Sequence, residues 1–366
     1  MNMGFSEGVI FRLRSLYSSR GYTRYKMNKF EEYDLYARNK DFRVSDSVIT
    51  FMDLNGKLMA LKPDMTLSIV KNSRDDLDCL QKLYYNENVY RVDRNSRSFR
   101  ELTQVGLECI GSIDLCCQWE VLSLAAQSLE EISTDWVLDV SNLGLLSDLI
   151  DALGIPVEKK PQALDLIGGK NLHELTRNCQ SWGVSQENIS ILRRAVCACG
   201  DPVAVLPELK ALLSGLVDTA PLDELMTITF AIGGGNLRFD LSVVDDLHYY
   251  NGIVFKGFVS GLPQSVLSGG RYDKLMDRMG RRAGAIGFAV YTDLLERLEE
   301  QGAPYDVDVV LLYDDRADPE LLGRYLAQAR VKQETVMLQR NIPENIRYQR
   351  LEEIKNGEVT VLENHA

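Results

Sequence analysis

The chain has 366 residues, is 45% hydrophobic and 26% charged, and carries a net charge of −12. That is globular composition, long enough for one large domain and a smaller one. It argues against a surface built to grip nucleic acid, which is usually basic. The seven cysteines (Cys79, Cys109, Cys116, Cys117, Cys179, Cys197, Cys199) are odd in number and lack paired C-x-x-C spacing. Zinc and disulfide frameworks are therefore not expected, and a reducing cytoplasm is the expected compartment. Cys197 and Cys199, spaced C-A-C, read as helix packing. The N-terminus has no h-region or cleavage-site pattern. No apolar run approaches the roughly 20 residues of a membrane span. No metal, cofactor, nucleic acid or membrane is expected as a partner.

In chain order, residues 1–20 read as a helix with Val9, Ile10, Leu13 and Leu16 on one face. Val48 to Asp53 and Lys57 to Leu61 read as strands joined at Asn55-Gly56, a type I′ signal. Gln81 to Asp93 and Phe99 to Gly111 read as two long strands around a polar turn. Trp119 to Ile132 is an apolar-periodic helix, and Asp135 to Val140 a strand. From about 143 to 230 the character changes to leucine-rich helical segments separated by Gly-containing breaks (Leu146–Leu153, Pro161–Ile167, Leu172–Cys179, Glu187–Cys197, Leu206–Leu216). This predicts a helical insertion. Strands resume at Leu237 to Val243 and Gly252 to Val259, followed by "SGGRYDKL" and an apolar segment to Leu298. From about Pro304 the pattern alternates: strand 307–313, helix 319–330, strand 335–338, helix 344–354, strand 358–362. It predicts a small α/β unit with a parallel sheet.

Alternation decides which side chains share a strand face. On Phe99–Gly111, the residues Leu102, Gln104, Gly106, Glu108 and Ile110 face one way, and Thr103, Val105, Leu107 and Cys109, a nearly all-apolar set, the other. Gly106 has no side chain, so a ligand could approach the sheet between Gln104 and Glu108. The competing reading is a half-solvated strand with a polar outer face. The preceding hairpin carries four arginines (Arg91, Arg94, Arg97, Arg100). Charge on a hairpin often only blunts an edge. Arg91, however, lies within a strand, where a guanidinium could fork onto a carboxylate or phosphate. "LKPDMT" places Asp64 and Thr66 after a hairpin strand. "LHYYNGIVFKGF" places Tyr249 and Tyr250 before another, and "SGGRYDKL" groups two glycines with Arg271, Tyr272 and Asp273. Each also has a plain reading: a helix cap, core tyrosines, a glycine turn.

Together, "LKPDMT", "YRVDR…FRELTQVGLECIG", "DDLHYYNGIVFKGF", "LSGGRYDKLMDRMG" and "AGAIGFAV" resemble, in order and spacing, the catalytic domain of histidyl-tRNA synthetases. The resemblance implies an α+β, class II aminoacyl-tRNA synthetase-like fold. It consists of an antiparallel sheet flanked by helices over residues 1–300, with the helical insertion at about 143–230 and a short C-terminal α/β domain at 304–366. It also implies a homodimer core. The positions of Asp64 and Thr66 hold the amino group of histidine in that family. Those of Arg91, Gln104, Glu108, Tyr250 and Tyr272 line the rest of the pocket, with Glu108 and Tyr250 at the imidazole and Arg91 at the carboxylate. Synthetases usually carry Glu where this chain has Asp64.

The departures point further. Where synthetases carry a catalytic arginine in "RGLDYY", this chain reads "DDLHYY", with Asp245, Asp246 and His248. A carboxylate beside a reacting phosphate reverses the sign of the interaction, and losing one positioned stabiliser costs about 3–4 kcal/mol. "GFAVYTDLLERL" puts Asp293 and Leu294 where motif 3 has Glu-Arg, with Arg297 three residues late. The motif 1 proline is absent from "YKMNKFEEYDLY", which leaves the dimer interface open in detail. The tail after Pro304 is short for an anticodon-binding domain. A kept amino-acid pocket with broken ATP-activating groups is similar to the family of ATP phosphoribosyltransferase regulatory subunits, which are synthetase paralogues. That resemblance implies a non-catalytic partner of the short catalytic subunit in the first step of histidine biosynthesis, with histidine as feedback effector. In this reading Arg94, Arg97 and Arg100 are remnants of an ATP loop or contacts to an acidic partner. The alternatives are a histidyl-tRNA synthetase or another synthetase-like adenylating enzyme.

Overall fold

Helix α1 (Phe5–Ser19) forms because Val9, Leu13 and Tyr17 recur every four residues and bury one stripe. The computed structural model describes residues 4–38, 48–92, 98–244, 249–298, 305–332, 334–355 and 358–365. After β1 (Thr23–Arg24), β2 (Phe30–Glu32) and the single turn α2 (Asp34–Ala37) come β3 (Thr50–Met52) and β4 (Leu58–Leu61). The β3–β4 hairpin lies where Asn55-Gly56 predicts it, but its turn is not type I′. That turn needs positive φ at both central residues, and here only Gly56 has it, at +79°. Asp53 N donates to Lys57 O and Gly56 N to Asp53 O. Asp53 Oδ1 accepts from the N–H groups of Asn55 and Lys57. The aspartate thus draws the loop into a three-residue turn closed by the glycine. Strands β2, β4 and β3 make a small antiparallel sheet.

Next come α3 (Thr66–Asn72), the long strands β5 (Gln81–Val92) and β6 (Phe99–Gly111), α4 (Leu115–Glu130) and β7 (Trp136–Asn142). The helical region holds α5 (Leu143–Ala152), α6 (Lys160–Gly168), α7 (Leu172–Ser181), α8 (Gln186–Cys197), β8 (Cys199–Gly200), α9 (Pro202–Leu213) and α10 (Ala220–Ile232). Asn142, Asn171, Ser185 and Asp201 start α5, α7, α8 and α9 by accepting a first-turn N–H. The leucine spacing did not reveal α10. Cys197 closes α8 and Cys199 opens β8, both exposed, so C-A-C marks an exit from helix to strand and not helix packing. The chain continues through β9 (Leu237–Asp240), β10 (Ile253–Val259), β11 (Leu267–Arg271), α11 (Asp273–Arg278) and β12 (Gly284–Tyr291).

These strands form a nine-stranded sheet in the order β1-β5-β6-β12-β11-β10-β7-β9-β8. Its central pairs are antiparallel, with parallel joins at β1–β5 and β7–β9, so it is mixed and not purely antiparallel. One face is apolar. Val105, Leu107, Phe255 and Phe288 are buried there. Tyr17 of α1 meets Phe288 edge-on at 5.9 Å between ring centroids. On α4, Leu129 presses so closely on Gly257 that a Cβ there would collide with it. The opposite face carries Gln104, Gly106 and Glu108. Residues Phe5–Glu296 form one compact unit.

Arg297–Ala366 belongs to a second unit. It contains β13 (Val307–Tyr313), α12 (Pro319–Val331), β14 (Val336–Gln339), β15 (Tyr348–Lys355) and β16 (Glu358–Asn364), in the order β14-β13-β15-β16. The first three strands are parallel and β16 is antiparallel, so this sheet is mixed where a parallel one was expected. The helix expected over 344–354 is instead mostly strand β15. Leu351 and Ile354, three apart, suggest a helical stripe. Yet residues three apart on a strand face opposite ways, and both are buried. A strand covered on both faces therefore imitates the spacing of a helix.

Leu107 has no exposed surface. Leu107→Ala is expected to destabilise the larger unit by about 2–5 kcal/mol. Urea denaturation followed by tryptophan fluorescence checks this, because Trp119, Trp136 and Trp182 all lie in that unit.

Candidate functional site

The strand register builds the site. Leu83, Tyr85 and Glu87 of β5 lie opposite Glu108, Gly106 and Gln104 of β6. Across the other edge of β6, Glu108 faces Gly287, Gly106 faces Ala289, and Gln104 faces Tyr291 of β12. Gly287 in turn faces Gly270 of β11. Directly opposed residues share a face, so polar side chains stand over a floor of small ones. The glycines act as sockets. A Cβ at Gly287 would overlap Glu108 Oε2, and one at Gly270 would lie 2.7 Å from the Tyr250 ring. A Cβ at Gly106 would lie 2.5 Å from the Tyr85 hydroxyl. The space above Gly106, expected to admit a ligand, is therefore filled by Tyr85.

Gln104 and Glu108 are only 4% and 2% exposed. This overturns the half-solvated reading of the strand, because α3, α11 and the tyrosines cover that face. Glu108 is the centre. Its Oε1 accepts from Thr66 Oγ1 at 3.1 Å, and its Oε2 from the Tyr272 hydroxyl at 2.6 Å. Burial pushes its carboxyl up to about 8, against the opposing pull of those two donors, with nearby Asp64 raising it further. Burial likewise raises Asp64, while two backbone N–H groups and Arg91 favour its ionised form. Asp64 Oδ1 accepts from Leu67 N at 3.1 Å, so Asp64 also caps the start of α3, as the plainer reading of "LKPDMT" has it. Arg91 Nε donates to Pro63 O at 2.8 Å, which holds the strand arginine beside Asp64.

Thr66, Glu108 and Tyr272 are in direct contact, Asp64 and Arg91 stand beside them, and Tyr250 lies on the Gly270 socket. Gln104 shares the face two register positions from Glu108. Sequence reasoning missed Tyr85 and gave Tyr249 no role. The Tyr249 ring centroid lies 4.5 Å from that of Tyr250 and 5.4 Å from that of Tyr272. Only the β5–β6 register puts Tyr85 opposite Gly106, and the polar turn hides that register in the sequence. Also unforeseen is Lys62, 1% exposed, whose Nζ lies 2.8 Å from Glu87 Oε2.

Of the nucleotide-side positions, Asp293 lies in the short 3-10 turn after β12. Burial raises its carboxyl and Arg100 pulls it back, so this hairpin arginine acts on a carboxylate of its own chain. Arg94, Arg97, Asp245, Asp246 and His248 lie outside the described residues.

A long β5–β6 hairpin, a glycine-floored sheet and an acidic, tyrosine-walled cluster define a class II aminoacyl-tRNA synthetase-like fold. The chain belongs to the histidyl-tRNA synthetase family, whose model, described as "Histidyl-tRNA synthetase", matches residues 5–295. It is similar to the ATP phosphoribosyltransferase regulatory subunit of Oceanobacillus iheyensis, 25% identical over 88% of this chain and 82% of that one. A solved "ATP phosphoribosyltransferase regulatory subunit/histidyl-tRNA synthetase" from Bacillus halodurans superposes with a TM-score of 0.75 at 22% identity, covering 95% of this chain and 93% of that one. A chain of the "ATP phosphoribosyl transferase (HisG:HisZ) complex" from Thermotoga maritima superposes with a TM-score of 0.61 at 18% identity, over 77% and 96%. Among the described residues, no helix is long and apolar enough to cross a membrane.

A carboxyl whose folded-state pKa stands above its unfolded value holds a proton that the unfolded chain releases. Its stabilising contribution is complete below the unfolded value and is lost as pH rises through the folded one. For Glu108 the window runs from about 4.5 to about 8. Denaturation midpoints of the unliganded chain at pH 5, 6.5 and 8 are expected to fall across this series, and Glu108→Gln to flatten the fall.

Proposed function

We propose that this chain is a regulatory, non-catalytic subunit of ATP phosphoribosyltransferase. In this reading it activates the short catalytic subunit in the first step of histidine biosynthesis, mediates feedback inhibition by histidine, and has a homodimeric core. The observation that carries the reading is a contrast between a buried acidic cluster and the sequence of the two arginine-bearing motifs. Asp64 and Glu108 are buried carboxyls that call for a ligand bearing positive or proton-donating groups. An amino acid with an ammonium and an imidazole supplies both. The two sequence positions where the family carries a nucleotide-neutralising arginine read Asp245 and Leu294 here. The site thus keeps the means to bind an amino acid and opposes the charge of its activation.

In this reading Arg91 takes the ligand carboxylate, Asp64 and Thr66 the ammonium, Glu108 and Tyr250 the imidazole, and Gln104 and Tyr272 complete the walls. The curated relatives' name and the two-component complex among the structural neighbours support the same partner. Inhibition needs no contact between histidine and the catalytic subunit. A ligand that binds one quaternary state better than another shifts their populations by its differential affinity.

The test is reconstitution with the short phosphoribosyltransferase subunit. Co-purification, raised transferase activity and its loss on adding histidine are the expected results. Tyr250→Phe and Glu108→Gln are each expected to raise the half-inhibitory histidine concentration about tenfold or more, equivalent to about 1.4 kcal/mol or more, with the complex still intact by gel filtration. Histidine-dependent pyrophosphate exchange at ordinary synthetase rates would reject the non-catalytic reading.

A further inference from the structure

Tyr36 of α2 is 2% exposed, and its hydroxyl has no hydrogen-bond partner among the described residues. Most buried side-chain polar atoms are paired, and each exception calls for an explanation. The surroundings supply one. Tyr36 lies in the same buried cluster as Met65, Tyr85 and Tyr272, against which Tyr249 and Tyr250 also pack. These are walls of the pocket, although α2 precedes every motif that marks it. The charges acting on the Tyr36 hydroxyl are Asp64 and Glu31. Glu31 is already engaged, its two oxygens accepting from Ser68 Oγ and Lys71 Nζ, each at 2.8 Å. Asp64 is the carboxyl of the pocket itself.

We infer that Tyr36 is a ligand-contacting residue, its hydroxyl accepting a hydrogen bond from the ligand's ammonium group at the Asp64 end of the pocket. The inference rests on the reading of this pocket as an amino-acid site. An ammonium carries three donors and no acceptor. Asp64, Thr66 Oγ1 and the Tyr36 hydroxyl can supply three acceptors, and the Tyr36 hydroxyl is the one without a partner among the described residues. The unpaired hydroxyl is then a cost in the empty protein, offset when the ligand enters.

The experiment compares the full-length chain with Tyr36→Phe, using titration calorimetry with L-histidine and the melting temperature without ligand. Removing a hydroxyl that has no partner while keeping the ring is expected to leave the melting temperature unchanged or raise it. Histidine affinity is expected to fall roughly ten- to a hundredfold, the loss of one hydrogen bond to a charged group. Unchanged affinity overturns the inference. So does a lower melting temperature, which would show that the hydroxyl has an internal partner. If the wild-type chain gives no heat with histidine, the titration is repeated on its complex with the short phosphoribosyltransferase subunit, and no heat there means that the histidine reading fails by itself. Tyr36 is then judged by thermal shift against the proteinogenic amino acids. The amino acid that stabilises the wild type is expected to lose its shift in Tyr36→Phe, and a panel in which none stabilises the wild type overturns this inference as well.

Discussion

The Glu108 carboxyl is the constraint around which the larger unit is arranged. It is buried in a sheet, where an ionised acid is costly. It is tolerated because Thr66 and Tyr272, far from it and from each other in the chain, both donate to it. It fits only because Gly287 leaves the space its oxygen occupies. One side chain thus ties the start of α3, the middle of β6, the end of β11 and the bare stretch of β12. The same logic repeats around it, with Tyr250 on Gly270 and Tyr85 on Gly106. A floor of glycines is therefore a requirement for laying large polar side chains flat on a sheet.

The sign of the site follows from its isolation. Asp64 and Glu108 are desolvated, and the neighbouring cation, Arg91, has its Nε committed to a backbone carbonyl. Both acids are raised by burial. In the proposed reading, an entering cationic group replaces missing solvation. The proposed occupant is a small zwitterion, and differential occupancy is what the proposed regulatory role needs. Buried Lys62 is paired with Glu87 and adds no net charge.

Much of this was legible beforehand. Alternation alone put Gln104, Gly106 and Glu108 on one face, and the motif order led to the synthetase-like fold. The failures share one cause. Gly106 read as an opening because nothing in the sequence set Tyr85 opposite it. The polar face read as half-solvated because covering elements do not announce what they cover. Residues 344–354 read as helix because Leu351 and Ile354 are three apart, a spacing that a strand buried on both faces also shows. Asn55-Gly56 read as a two-residue turn, but Asp53 captured two N–H groups and lengthened it.

The sequence by itself determined the periodicity of most elements, the caps that begin most insertion helices, the residue types of the site and the charges that, in the proposed reading, oppose nucleotide chemistry. These are properties of neighbours along the chain, where steric and hydrogen-bonding rules act over a few residues. Only the tertiary structure decided the register that seats Glu108 on Gly287, the burial that raises its carboxyl, and the arrival of Tyr36 among the pocket walls. Those depend on pairings between distant segments, and a linear pattern of apolar and polar residues is consistent with several such pairings.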